Sequence, residues 1–145
     1  MESGARTIDR LLERYGEFHR HPANKAIHWV CVPLIVWSVL GLVWSLSPLA
    51  AYVAIAAVLI FYAWLSLPLA AGMLAVLALM LYPLAALGSR ALVVCIAVFV
   101  AAWIGQFIGH AIEGRRPAFV EDVRSFLVGP AWLLGFVYRR LGIAY

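Results

Sequence analysis

AIHWVCVPLIVWSVLGLVWSLSPLAAYVAIAAVLIFYAWLSLPLAAGMLAVLALMLYPLAALGSRALVVCIAVFVAAWIGQFIGHAI, residues 26–112, contains one fully charged side chain, Arg90. Hydrocarbon is the solvent such a stretch fits. One helical crossing takes about 20 apolar residues at 1.5 Å rise each, so the stretch is long enough for several. Its breakers set the divisions. Ser45-Leu46-Ser47-Pro48 separates a first span, about 27–46, from a second, about 49–65. Ser66-Leu67-Pro68 breaks the run again before a third, about 69–87, and Gly88-Ser89-Arg90 turns into a fourth, about 91–112. The uncharged link between the second and third spans also admits a buried re-entrant pair.

Upstream, Ile8, Leu11, Leu12, Tyr15 and Phe18 recur at helical spacing, with Arg10, Glu13, Arg14 and Glu17 on the other face. This predicts an amphipathic helix on the membrane surface. Pro22 ends or restarts that helix, so His19 and His28 belong to different segments. Downstream of Pro117, the apolar segment 126–138 is too short to span and is interrupted by Gly129-Pro130. It reads as an interfacial or partly re-entrant helix anchored by Trp132, Tyr138, Arg139 and Arg140. The expected fold is an all-α, polytopic membrane helical bundle of about four transmembrane helices with interfacial amphipathic helices at both ends. It forms one membrane domain: residues 1–25 interfacial helix and loop, 26–112 transmembrane core, 113–145 interfacial or re-entrant. Residues 1–17 hold no uninterrupted apolar run of the secretory type, so insertion is expected through the internal helices.

Composition narrows the function classes. At 66% hydrophobic and 12% charged residues, the chain is far more apolar than a soluble domain, which is about half apolar. The net charge of +4 comes from arginines flanking apolar segments, which fits anionic head groups better than nucleic acid. No charged residue inside the expected spans marks an ion path, which argues against a transporter. Cys31 and Cys95 lie in apolar segments and read as small hydrophobes, silent on redox compartment.

An even number of crossings returns the end of the fourth span to the face where the first begins. Arg6, Arg10, Arg14, Arg20, Lys25, Arg115 and Arg116 then share that face, which the positive-inside rule assigns to the cytoplasm. All the histidines, His19, His21, His28 and His110, fall there too. Tyr15, Asn24 and Gln106 each precede a histidine by four residues, on the same helical face, where a polar neighbour can orient an imidazole or contact a substrate. Converging imidazoles point to iron, zinc, copper or nickel rather than magnesium or calcium. His21 lacks such a neighbour and reads as a solvated loop residue or a fourth ligand. Glu113, three residues after His110, either joins this group or pairs with Arg115, Arg116 or another arginine near the termini. Arg115 and Arg116 are placed to recruit a carboxylate or to hold the topology.

Tyr15-x3-His19-x4-Asn24-x3-His28-x4-Pro33, followed by Gln106-Phe-Ile-Gly-His110 and Glu113-x3-Pro117-Ala118, resembles the Mpo-like family of membrane 2-hydroxy fatty acid dioxygenases. The closing segment, Phe126-Leu-Val-Gly-Pro-Ala-Trp-Leu-Leu through Tyr138-Arg-Arg-Leu-Gly, resembles its bacterial branch. Two departures stand out: Cys31 replaces a glycine of many relatives, and the gap from His110 to Glu113 is one residue shorter than in many eukaryotic members. The resemblance implies an Fe(2+) enzyme of fatty acid α-oxidation that uses O2 to shorten a 2-hydroxy fatty acid by one carbon. It implies His19, His28 and His110 as iron ligands, with His21 a candidate fourth. Tyr15, Gln106 and Glu113 are then the candidate catalytic residues, and Asn24, Arg115 and Arg116 the candidate substrate-binding residues. The implied location is a bacterial inner membrane, with both termini and the site on the cytoplasmic side. The alternatives are a non-enzymatic haem- or metal-binding membrane protein and a structural, lipid-packing protein.

Overall fold

The structure, a computed structural model, describes residues 6–145, and every regular element among them is a helix. The first five residues of the expected interfacial segment lie outside the described residues. The elements are α1 (Thr7–Glu17), α2 (Pro22–Leu46), α3 (Pro48–Leu65), α4 (Leu67–Leu87), α5 (Ala91–Glu113) and α6 (Ser125–Leu141), with short 3₁₀ turns at Gly88–Arg90 and Ala118–Val120.

The expected breaks form, each through local chemistry. Ser47 and Ser66 are single extended residues that end one helix and cap the next, accepting from the amides of Ala50 and Leu69. Pro48 and Pro68 sit in the first turns of their helices, where a missing N–H costs nothing. Gly88, at φ 54° and ψ −129°, takes a conformation closed to residues with a Cβ and separates α4 from α5. Three stretches are long and apolar enough to cross a membrane: Pro22–Leu46, Pro48–Leu65 and Leu67–Glu113. The third has 47 residues, about 70 Å of helix and more than twice the hydrocarbon thickness, and Gly88 folds it in two.

The four apolar helices run alternately up and down. A Cβ on Gly105 would meet Cys31 at 2.6 Å, and one on Gly41 would collide with Cys95 and Leu84. The start of α2 therefore lies against the end of α5, and the end of α2 against the start of α5 and the end of α4. Tyr62, at the end of α3, donates to the carbonyl of Leu127, and Tyr138 donates to that of Pro68, at the start of α4. The α3–α4 turn thus sits at the level of α6 and the start of α2. Large apolar side chains such as Ile60, Leu74, Leu79 and Val93 point outward from this bundle, as in a protein whose solvent is lipid.

The ends differ from expectation in one respect. Gly129-Pro130 does not interrupt the last segment, and α6 runs through it unbroken. α6 packs closely against the bundle, with Val128, Ala131, Trp132, Leu133 and Tyr138 all buried. The reason is space: Gly129 lets the Tyr15 ring approach to where its own Cβ would stand, 2.7 Å from the hydroxyl. α1 and α6 close together over the end of the bundle that carries the histidines.

Candidate metal centre

Three of the four histidines meet. His19 follows α1, His28 lies in the second turn of α2 and His110 in the last turn of α5, and all three are at least 96% buried. Their ring centroids are 3.9 Å apart for His19–His28, 5.0 Å for His19–His110 and 5.6 Å for His28–His110. One nitrogen from each lies within 4.8 Å of the other two. Two ligands on one ion at bonds of about 2.1 Å stand at most about 4.2 Å apart, so the group closes on an ion with side-chain shifts below about 1 Å.

The hydrogen bonding fits such an ion. His19 Nδ1 lies 2.8 Å from the carbonyl of Tyr15, which can only accept, so Nδ1 carries the proton and Nε2 keeps its lone pair. Metal-bound histidines are oriented in this way, through the nitrogen that does not bind. His19 Nε2, His28 Nδ1 and His110 Nδ1 are buried with no protein partner. Three unpartnered nitrogens around one point would cost several kcal/mol if nothing filled it. Burial lowers the His19 pKa to about 4, which keeps the ring neutral and ligand-competent at physiological pH.

Tyr15 and Gln106 stand beside the histidines. The Tyr15 ring stacks on His19 at 4.4 Å, and its hydroxyl is 2.7 Å from His28 Nε2. Burial raises the Tyr15 pKa, so the phenol stays protonated. Gln106 Nε2 is 3.4 Å from the same His28 nitrogen, while Gln106 Oε1 is buried without a partner.

The other candidates sit elsewhere. The Glu113 carboxylate accepts from the backbone amides of Arg20 at 3.0 Å and His21 at 2.8 Å and from the Asn24 amide at 3.1 Å. The expected arginine ion pair is not formed among the described residues. These three bonds to the carboxylate clamp the loop that carries His19 to the end of α5. Asn24 joins that clamp, its amide nitrogen donating to the Phe18 carbonyl as well as to Glu113. His21 is exposed and caps α2 by accepting from the Ala23 amide, outside the group formed by the other three histidines. Arg115 donates to the Glu17 carbonyl and lies over the Phe18 ring, which ties down the end of α1. Arg116 is exposed, and neither arginine lines the cavities beside the histidines.

Two tryptophans were missed by sequence reasoning. Trp132, expected at the interface, is buried with its ring 5.4 Å from His19 and 5.6 Å from Tyr15. Trp103 precedes Gln106 by one turn and His110 by two, on the same stripe of α5, and its buried Nε1 has no partner. That seven-residue spacing was the available signal. A small cavity of about 50 Å³ is lined by Tyr15, His28, Trp103, Gln106 and His110. On the other side, an open polar vestibule reaches His19 between Arg20, Lys25 and Arg139.

Fold and site together define an all-helical membrane protein with a buried three-histidine group able to hold a transition metal. Residues 5–141 match the family model described as 2-hydroxy-palmitic acid dioxygenase Mpo1-like, and the chain belongs to that family. It is 31% identical over 152 aligned positions to the 2-hydroxy-palmitic acid dioxygenase MPO1 of Saccharomyces cerevisiae, covering 98% of this chain and 86% of the yeast protein. No solved structure matches it.

Proposed function

We propose that the protein is an Fe(2+)-dependent dioxygenase of fatty acid α-oxidation that converts a 2-hydroxy fatty acid to the acid one carbon shorter with O2. The observation that carries this reading is the convergence of three buried imidazoles with free nitrogens, in a chain of this family. Iron(II) bound by these three neutral imidazoles would supply Lewis-acid and oxygen chemistry. The stoichiometry closes without an external reductant: the 2-hydroxy acid and O2 give the shorter acid, carbon dioxide and water.

The chain's own residues bind and orient. His19, His28 and His110 would hold the ion, with Glu113 and Asn24 as positioning residues that fix the His19 loop. Gln106 Oε1 and Trp103 Nε1 are an acceptor and a donor without partners at the same cavity. They complement a 2-hydroxyl, which donates, and a carboxylate, which accepts. Tyr15 holds the His28 ring and offers a protonated phenol at the cavity wall. The acyl tail enters from the bilayer, each buried methylene contributing about 0.8 kcal/mol. We place the site at the cytoplasmic edge of a bacterial inner membrane, with four crossings, because the flanking arginines and lysine cluster at that edge.

The haem alternative conflicts with the packing. Axial imidazoles lie on opposite faces of a macrocycle, whereas these rings crowd to within 3.9–5.6 Å of one another. Anaerobic purification, metal analysis and O2-dependent turnover test the proposal. The expected result is bound non-haem iron and a one-carbon-shorter product, lost in His110→Ala with normal membrane insertion. A strong Soret band, or iron-loaded protein inert toward 2-hydroxy acids of every length, overturns it.

A further inference from the structure

We infer that the large apolar cavity behind the histidines is a ruler for the substrate's acyl chain, with Val43 and Ala54 as its floor. This rests on the fatty-acid reading above and assigns what that reading leaves open, the chain length. The cavity measures about 440 Å³ and is walled by α2, α3, α4, α5 and the first turns of α6. It shares Ile35, Val36, Trp103, Phe126 and Pro130 with the small pocket at the histidines, so the two adjoin, parted by no more than these side chains. Its lining is apolar apart from the Tyr62 hydroxyl and the Trp103 indole. The Tyr62 hydroxyl is already spent on the Leu127 carbonyl at 2.6 Å. A space of that lining, entered beside an unpartnered donor and acceptor, fits a molecule with a polar head and a long saturated tail.

Its depth converts to a carbon number. From His28 to Val43, α2 rises about 22 Å. An extended alkyl chain, with bonds of about 1.52 Å at about 111°, advances about 1.25 Å per carbon. The distance from the histidines to the floor therefore takes about 16 to 18 carbons, counted from the carboxyl end. Ala54, on α3, is the smallest side chain of the wall there, so enlarging it shortens the space with little change elsewhere.

The test uses the full-length, iron-loaded protein and 2-hydroxy acids from about 10 to 20 carbons. A methylene in an apolar pocket is worth roughly tenfold or more in kcat/KM. Ala54→Leu and Ala54→Phe should move the optimum two to four carbons shorter and cut turnover of the longest acids by about tenfold or more. Val43→Ala should move it the other way, which covers the case in which an enlarged residue fails to fold. A 2-hydroxy acid carrying a photoreactive group at its far end should label α3 near Ala54, a readout independent of turnover. Labelling without turnover keeps the ruler while the dioxygenase reading fails. An unchanged chain-length order in active variants, as a space filled by a bilayer lipid tail predicts, or labelling elsewhere, overturns the ruler.

Discussion

The helix pairs α2–α5 and α3–α4 are both long and apolar and are built for opposite tasks. α2 and α5 touch through Gly41, Gly105 and Gly109, leaving no room for a Cβ at their contact with Cys95, Cys31 and Asn24. Close backbone approach through small residues is how helices associate where lipid gives no hydrophobic drive. α3 buries only Ala51 and Tyr62, turns most of its surface to lipid, and closes one side of the cavity whose other walls are α2, α4, α5 and α6. The contrast teaches that rigidity is concentrated where two histidines must keep their spacing, and slack where a chain must enter.

Several substitutions break or sharpen that contrast. The largest effect belongs to His28→Ala and His110→Ala, which should reduce bound metal and turnover to background with helix content unchanged, as read by metal analysis and circular dichroism. Next, Gly105→Leu forces the seam apart at Cys31, and overpacking of this kind costs about 1–3 kcal/mol. The lipid-facing Ile60→Ala should stay within about 0.5 kcal/mol. Thermal unfolding in one detergent compares the two, and equal effects would erase the contrast. Glu113→Ala frees the His19 loop and should weaken metal binding about 10- to 100-fold, measured by competition with a chelator.

A pH titration comes next in size. The His19 pKa drops from 6.5 to about 4 on burial, so between these values the unfolded chain holds a proton that the folded site refuses. Unfolding then takes up protons, and stability falls as pH is lowered from about 6.5 to about 4. The Tm of metal-free protein should decline across that window, with a shallower slope in His19→Gln. Arg116→Gln has the smallest effect, under about twofold in KM, because the side chain is exposed and exposed charges contribute little. A large KM increase would restore the substrate-binding role expected from its position in the chain.

Much of this was legible in the sequence because it depends on local chemistry. Ser-Pro and Gly signals placed the ends of α2 to α5 within a few residues, and the even count of apolar segments brought His28 and His110 to one face. The arginine pairing open to Glu113 in the sequence does not form, because its carboxylate is taken by the Arg20 and His21 backbone amides, which carry no side-chain signature, and by the Asn24 amide. Pro130 was misread as a breaker: α6 carries it inside the helix, since a proline removes one helical hydrogen bond and can leave the helix kinked rather than ended. Trp132 looked like an interfacial anchor since nothing in its own segment reveals that α1 folds over it beside His19.

X-ray absorption at the iron edge, on protein loaded anaerobically, tests the central claim most directly. The account predicts three imidazole nitrogens at about 2.1 Å, falling to two in His28→Ala. A spectrum without histidine scattering, or one unchanged by that substitution, would contradict it.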